Sequence, residues 1–254
     1  MNIASDINTY RACLLLFSLT LSMSCGCGDE TDDCPEFEAT EATIEVMPIG
    51  DSRVEGARPE FESYRYELWK NLKQDNWDVD FIGARFDPAS YPEFGGTCFD
   101  NEHEGTGGAQ TPDILDTLNR ETYPRPPEVA LLGIGGNDLL NSTGRPVEEV
   151  VSNVESIIAR LRELNPNVII LMEQIAPGKS DFMSEEQTNR FDTYNVQIGE
   201  LGAALNTETS PVVVVDMTPG WQDGYLADPV HYNEAGAKVV ADRYYEAWQQ
   251  VVTR

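Results

Sequence analysis

Three apolar runs constrain this chain most. Val129-Ala130-Leu131-Leu132 is continuous and apolar, the pattern of a strand buried on both faces of a parallel sheet. Val168-Ile169-Ile170-Leu171-Met172 and the valine-rich segment Pro211 to Asp216 follow as further strands. Helical patterns separate them. Val147, Val150, Val151, Val154, Ile157, Ile158, Leu161 and Leu164 share one face of a helix over 147–164, which Pro166 stops. Glu185 to Leu205 and Asn233 to Val251 read as two more helices, the last burying Ala237, Val240, Tyr244 and Trp248. Upstream, Thr43 to Ile49 reads as the first strand and ends at Gly50. Tyr64, Leu68 and Leu72 predict a helix over Ser63 to Gln74 with Trp69 on its flank, and Asp78 to Gly83 reads as a second strand. The Gly- and Pro-rich stretch Pro88 to Pro112 reads as mostly loop. A long irregular run inside a compact domain is usually functional. The alternation predicts an α/β fold, with a parallel sheet of about five strands covered on both faces by helices.

The 254 residues, 41% of them hydrophobic, suffice for one sizeable core. No internal repeat is visible, and no apolar stretch approaches the ~18 residues of a membrane span. A formal charge of −27 repels nucleic acid, anionic bilayers and polyanionic polymers, so neutral substrates fit better, although such acidity also fits a charge that serves only to keep the protein soluble. Residues 1–28 resemble an export segment: Arg11, the apolar run Cys13-Leu14-Leu15-Leu16-Phe17, then Ser22-Met23-Ser24-Cys25-Gly26-Cys27. Either ordinary cleavage or lipidation of Cys25 or Cys27 fits, and a lipidated cysteine would tether the protein to a membrane without spanning it. Residues 29–42 are acidic and read as a flexible spacer before a catalytic domain at 43–254. An oxidising compartment would favour a Cys34–Cys98 disulfide over two free thiols.

Four short blocks fall at, or shortly after, predicted strand ends: Gly50-Asp51-Ser52, Gly107-Gly108, Gly136-Asn137-Asp138 and Asp228-Pro229-Val230-His231. Active sites of parallel sheets gather at the carboxyl ends of the strands. A serine after Gly50 can present its hydroxyl there as a nucleophile. His231 supplies a base suited to neutral pH, and Asp228, three residues earlier, can reach its other ring nitrogen. The amides of Ser52 and Gly108 and the side chain of Asn137 can hold an oxyanion. Each block alone also fits a blander reading: a serine capping a helix, a turn asparagine, a histidine capping the last helix. His103 is the rival base. Trp221, Tyr225 and Tyr232 surround the His231 block and either stack on sugar rings or pack the lip of the fold. Two histidines and scattered acids make no convincing metal set.

In this order and at these separations, the blocks resemble the SGNH hydrolase superfamily, also called GDSL esterases. The resemblance covers nearly all of residues 43–254. It implies a three-layer α/β/α sandwich of flavodoxin-like type. It also implies Ser52, Gly108, Asn137 and His231 as the four hallmark residues, with Asp228 as triad acid. Longer strings, Met47-Pro48-Ile49-Gly50-Asp51-Ser52, Ser63-Tyr64-Arg65-Tyr66-Glu67-Leu68, Asp80-Phe81-Ile82-Gly83, His103-Glu104-Gly105 and Gly135-Gly136-Asn137-Asp138-Leu139-Leu140, are similar to the acetyl xylan esterase branch, carbohydrate esterase family three. In that branch His103 belongs to the glycine block and is structural. The chain departs from the family at Pro229, where glycine is usual, and from the usual neighbours at Ala109 and Tyr232.

The expectation is an exported serine esterase acting on short acyl esters, acetyl foremost, of neutral carbohydrates. It would need no cofactor, work as a monomer, and be secreted or sit as a lipoprotein at a bacterial surface or periplasm. The alternatives are a lipase, lysophospholipase or thioesterase on longer chains, a sugar O-acyltransferase, or an inactive surface carbohydrate-binding protein.

Overall fold

The computed structural model describes residues 39–118, 123, 125–141 and 144–253. All fall within one compact unit, Cys34–Arg254. Cys25, Cys27 and Cys34 lie outside the described residues. Cys98 is disulfide-bonded.

Seven strands make one sheet: β1 (Ile44–Gly50), β2 (Val79–Phe81), β3 (Arg85–Phe86), β4 (Glu102–Gly105), β5 (Val129–Gly133), β6 (Ile169–Gln174) and β7 (Val212–Asp216). The helices are α1 (Ser52–Glu55), α2 (Arg65–Gln74), α3 (Thr111–Thr117), α4 (Gly136–Leu140), α5 (Val147–Leu164), α6 (Glu185–Leu205) and α7 (Glu234–Val251). The order is β3-β4-β1-β5-β6-β7, and β2 and β4 share one edge of β1. Ile44 to Val46 pair with β2, whereas Ile49 and Gly50 pair with β4. Every pairing is parallel except that of β3 with β4.

Side chains of a strand alternate between faces, and the strands here use both. Met47, Ala130, Leu132, Ile170 and Met172 pack beneath α3, α5 and α6 with Ile114, Ile157, Phe191 and Tyr194. Val46, Val129, Leu131 and Leu171 pack on the other face beneath α2 and α7, with Leu68, Trp69, Leu72, Val240, Tyr244 and Trp248. The result is the three-layer α/β/α sandwich expected from the sequence. Among the described residues, no helix is long and apolar enough to cross a membrane.

The stretch Pro88 to Pro112 is mostly loop, as expected, and also holds β4 and the start of α3. β4 reads Glu-His-Glu-Gly, yet His103, Glu104 and Gly105 are buried. Glu104 Oε2 accepts from the Ala84 amide at 3.0 Å and from the Tyr123 hydroxyl, so a polar strand is tolerated inside. The helix expected from Ser63 begins at Arg65. The Ser63 hydroxyl instead donates to Val54 O at 2.7 Å. Trp69 is not on the flank but fully buried.

Beneath the carboxyl end of the sheet, Glu173 is enclosed. Its carboxylate accepts from the Tyr232 and Tyr244 hydroxyls at 3.4 and 3.1 Å. Burial pushes its pKa up to about 7, against the opposing pull of the Arg53 charge and the Tyr244 hydrogen bond. The sign follows from linkage. Between the ordinary glutamate value and about 7, the folded state holds a proton that the unfolded state has lost, so stability falls as pH rises through that window. Glu173→Gln should remove up to about 3 kcal/mol of that fall. Thermal melts of both proteins between pH 5 and pH 8 check it: the wild-type decline should be the steeper, and equal slopes would contradict the assignment.

Candidate active site

β1 and β5 approach so closely that a methyl group on Gly50 would lie 1.9 Å from Gly133 O. The chain turns there into α1. Asp51 caps it, its Oδ1 accepting from the Arg53 amide at 3.0 Å. Ser52 is thereby the first helical residue, its amide in the turn where backbone N–H groups have no intrahelical partner.

His231 arrives from the loop before α7. Its Nε2 lies 2.8 Å from Ser52 Oγ, and its Nδ1 lies 2.6 Å from Asp228 Oδ2. Asp228 Oδ1 accepts the Val230 and His231 amides at 2.9 and 2.8 Å, which folds the loop around the carboxylate. Partial burial pushes the Asp228 carboxyl up, but hydrogen bonds from the His231 ring and these two amides outweigh it, holding the pKa below the usual range. An ionised Asp228 fixes the proton on Nδ1 and leaves Nε2 to accept from the Ser52 hydroxyl.

Gly108 and Asn137 line the same cleft, of about 680 Å³, as Ser52 and His231. Gly108 has φ 74°, a conformation that favours glycine. Asn137, in the first turn of α4, donates from Nδ2 to Ala109 O at 2.9 Å, which orients its amide. Asp138 ties this turn to α3 by accepting from the Thr111 amide and hydroxyl at 3.0 and 3.2 Å. The four blocks singled out in the sequence therefore meet in one cleft.

The other candidates fare differently. His103 also borders the cleft but is buried, with Nδ1 accepting the Gly105 amide at 3.0 Å. Burial first, then the charges of Arg65 and Arg85, lower its pKa to about 3, so it stays neutral and has no free basic nitrogen. Tyr232 is fully buried and is no sugar platform. Trp221 and Tyr225 pack on each other with ring centroids 5.3 Å apart, and neither lines the cleft. Among the described residues, Asp80, Asp100 and Glu102 cluster within 4.8 Å. Asp80 pairs with Arg125, and none of the three lines the cleft.

Sequence reasoning missed Arg53 and Phe61. Arg53 Nε and Nη1 donate to Val230 O and Ala176 O at 2.8 and 2.7 Å, tying the Ser52 turn to the His231 loop. Phe61 stacks on the His231 ring, with centroids 3.9 Å apart and planes 12° apart. The only signal was position: Arg53 adjoins Ser52, and Phe61 lies in the turn just after α1.

The profile of the GDSL-like lipase/acylhydrolase family matches residues 49–239. The chain belongs to the GDSL-like lipase/acylhydrolase family. A carbohydrate esterase family 3 structure from Talaromyces cellulolyticus superposes on this GDSL-like chain with a TM-score of 0.70 at 24% identity, covering 82% of this chain and 98% of that one. A family 3 carbohydrate esterase from Clostridium thermocellum gives 0.63 at 26% identity, covering 82% and 96%. A multidomain esterase of Ruminococcus flavefaciens is 30% identical over an alignment of 149 residues that covers 52% of this chain. That match spans 19% of the length of the curated relative.

Proposed function

We propose that this chain is an exported serine esterase that removes short acyl groups, acetyl foremost, from neutral carbohydrates. The observation that carries the catalytic part is the Asp228–His231–Ser52 relay, with links of 2.6 and 2.8 Å, opening on a cleft that also holds Gly108 and Asn137. Ser52 Oγ attacks the ester carbonyl as His231 Nε2 takes its proton. Asp228 stabilises the resulting imidazolium. The carbonyl oxygen becomes an oxyanion, held by the Ser52 and Gly108 amides and the Asn137 side chain. Collapse expels the alcohol, protonated by His231, and leaves an acyl-serine. Water, losing its proton to His231, then attacks that ester. The acid departs and Ser52 recovers its proton.

Asn137→Ala removes one oxyanion donor and should lower kcat about 10²- to 10³-fold with KM little changed. Steady-state kinetics on p-nitrophenyl acetate check this. A loss confined to KM would assign Asn137 to ground-state binding instead.

The carbohydrate part rests on the −27 charge, which disfavours anionic polymers, and on the similarity to esterases described as carbohydrate esterases. p-Nitrophenyl acetate, butyrate and octanoate, followed by acetylated xylan, test it. The reading requires the highest kcat/KM on acetate and release of acetate from the polymer. A long-chain optimum would move the chain to the lipase or thioesterase class. Acyl transfer to an added sugar in place of hydrolysis would make it an acyltransferase.

The export part rests on the Arg11-to-Cys27 pattern and on the disulfide at Cys98, a bond that persists in oxidising compartments. In this reading residues 1–28 are the signal, 29–42 the spacer and 43–254 the catalytic domain. The mass of the mature N-terminus tests it. An intact Met1 would contradict export by this segment, and an acylated Cys25 or Cys27 would add a membrane anchor.

A further inference from the structure

The cleft contains two groups that the catalytic reading does not use. Phe86 is 70% exposed, the most exposed large hydrophobic side chain among the described residues. Phe182 and Val196, the other two, lie outside the cleft, whereas Phe86 lines it together with Pro88 and Ala89. Its exposure does not come from a loose backbone. Phe86 pairs with Glu102 across the β3–β4 ladder. The next residue, Asp87, is buried and accepts from Arg65 Nη2 at 3.1 Å, the Tyr91 hydroxyl at 2.5 Å and the Ala89 amide at 2.8 Å. Asn101 Nδ2 also holds Asp87 O at 2.7 Å. A phenyl ring on a firmly held backbone therefore faces solvent at the mouth of the site.

The second group is Glu55, one turn after Ser52. Its half-buried carboxylate lines the cleft and has no hydrogen-bond or ion-pair partner among the described residues. Gly107 makes room for it: a methyl group there would lie 2.7 Å from Glu55 Oε2. Arg58, also in the cleft, is engaged elsewhere, paired with Glu62 at 3.5 Å and set over the Tyr91 ring. The carboxylate and the phenyl ring thus face the cleft together, one seeking hydroxyl donors and the other an apolar face.

We propose that Phe86 and Glu55 form a subsite for a neutral pyranose ring carrying the ester, which rests on the esterase reading above. The C–H face of the sugar covers Phe86, and a ring hydroxyl donates to Glu55. The bare phenyl surface supplies area to bury, and the unpaired acceptor selects a polyol over an alkyl alcohol. The same carboxylate repels acidic sugars.

The test is a specificity ratio: kcat/KM on a mono-O-acetylated methyl xyloside divided by kcat/KM on ethyl acetate, whose alcohol has no ring. Phe86→Ala should lower the ratio about fivefold, and Glu55→Gln about tenfold, with the losses in KM. Phe86→Trp should retain it, and Phe182→Ala, remote from the cleft, should leave it unmoved. A ratio unmoved in both Phe86→Ala and Glu55→Gln would overturn the subsite. So would an equal fall on both substrates, which would place these residues in service of the reacting groups. If the wild type cleaves neither ester, the catalytic reading fails, and binding decides the subsite separately. Saturation transfer to methyl xyloside that is lost in Phe86→Ala supports it, and transfer that is absent or equal in the two proteins overturns it.

Discussion

Ser52→Ala should lower kcat on p-nitrophenyl acetate by about 10⁵-fold while leaving the fold intact. Ser52 Oγ donates into the relay, and its hydrogen-bond partner is His231 Nε2 at 2.8 Å. Its removal therefore deletes the atom that bonds to the acyl carbon and leaves the oxyanion donors in place. Some rate above that of water survives from those donors and from binding. KM should change little, because the missing interaction is covalent and forms after binding. His231→Ala should cost a similar factor, and the double variant little more than either single one, since the two residues act as one unit. Additive losses in the double variant would mean that they do not.

The second large effect is on stability. Arg65 has no exposed surface, yet it carries a guanidinium. Nε donates to Val54 O at 2.7 Å, Nη1 to Asn101 O at 2.8 Å, and Nη2 to Glu55 O at 2.8 Å and Asp87 Oδ2 at 3.1 Å. One side chain thus closes the end of α1, holds the rim that carries Phe86, and neutralises a buried aspartate. Arg65→Met keeps the volume but leaves the buried Asp87 carboxylate without its counter-charge and takes a donor from three carbonyls, at a cost of about 4 kcal/mol. The melting temperature should drop by about 10 °C. Arg65→Lys should rescue little, because a point charge cannot reach four acceptors held in a fork. Adding Asp87→Asn to Arg65→Met should recover part of the loss, since the stranded charge goes with it. A melting temperature unchanged in Arg65→Met would contradict this account.

Much of the sheet was legible because parallel strands buried on both faces are forced into continuous apolar runs, as Val129 to Leu132 and Val168 to Met172 are. β4 was illegible for the opposite reason. Its His103 and Glu104 are buried through partners distant in sequence, and no local period marks them. Ser52, Asn137, Asp228 and His231 stood out because their chemistry is rare and sits after strand ends. Tyr232 was misplaced because adjacency in sequence is not adjacency in space. It bridges to Leu226 and Glu62 in extended backbone, where neighbouring side chains point to opposite sides. His231 therefore faces the cleft and Tyr232 the interior. Phe61, Glu55 and Phe86 lie at an isolated bridge, in a four-residue helix and in a two-residue strand, where no spacing rule distinguishes a site residue from an ordinary surface one.

The central claim is that Ser52 becomes covalently acylated with His231 as its base. A serine-directed fluorophosphonate followed by peptide mass mapping tests it most directly, because the adduct marks the nucleophile itself. The account predicts one adduct, on Ser52, formed slowly or not at all in His231→Ala. An adduct on any other residue, or none in the wild type, would contradict it.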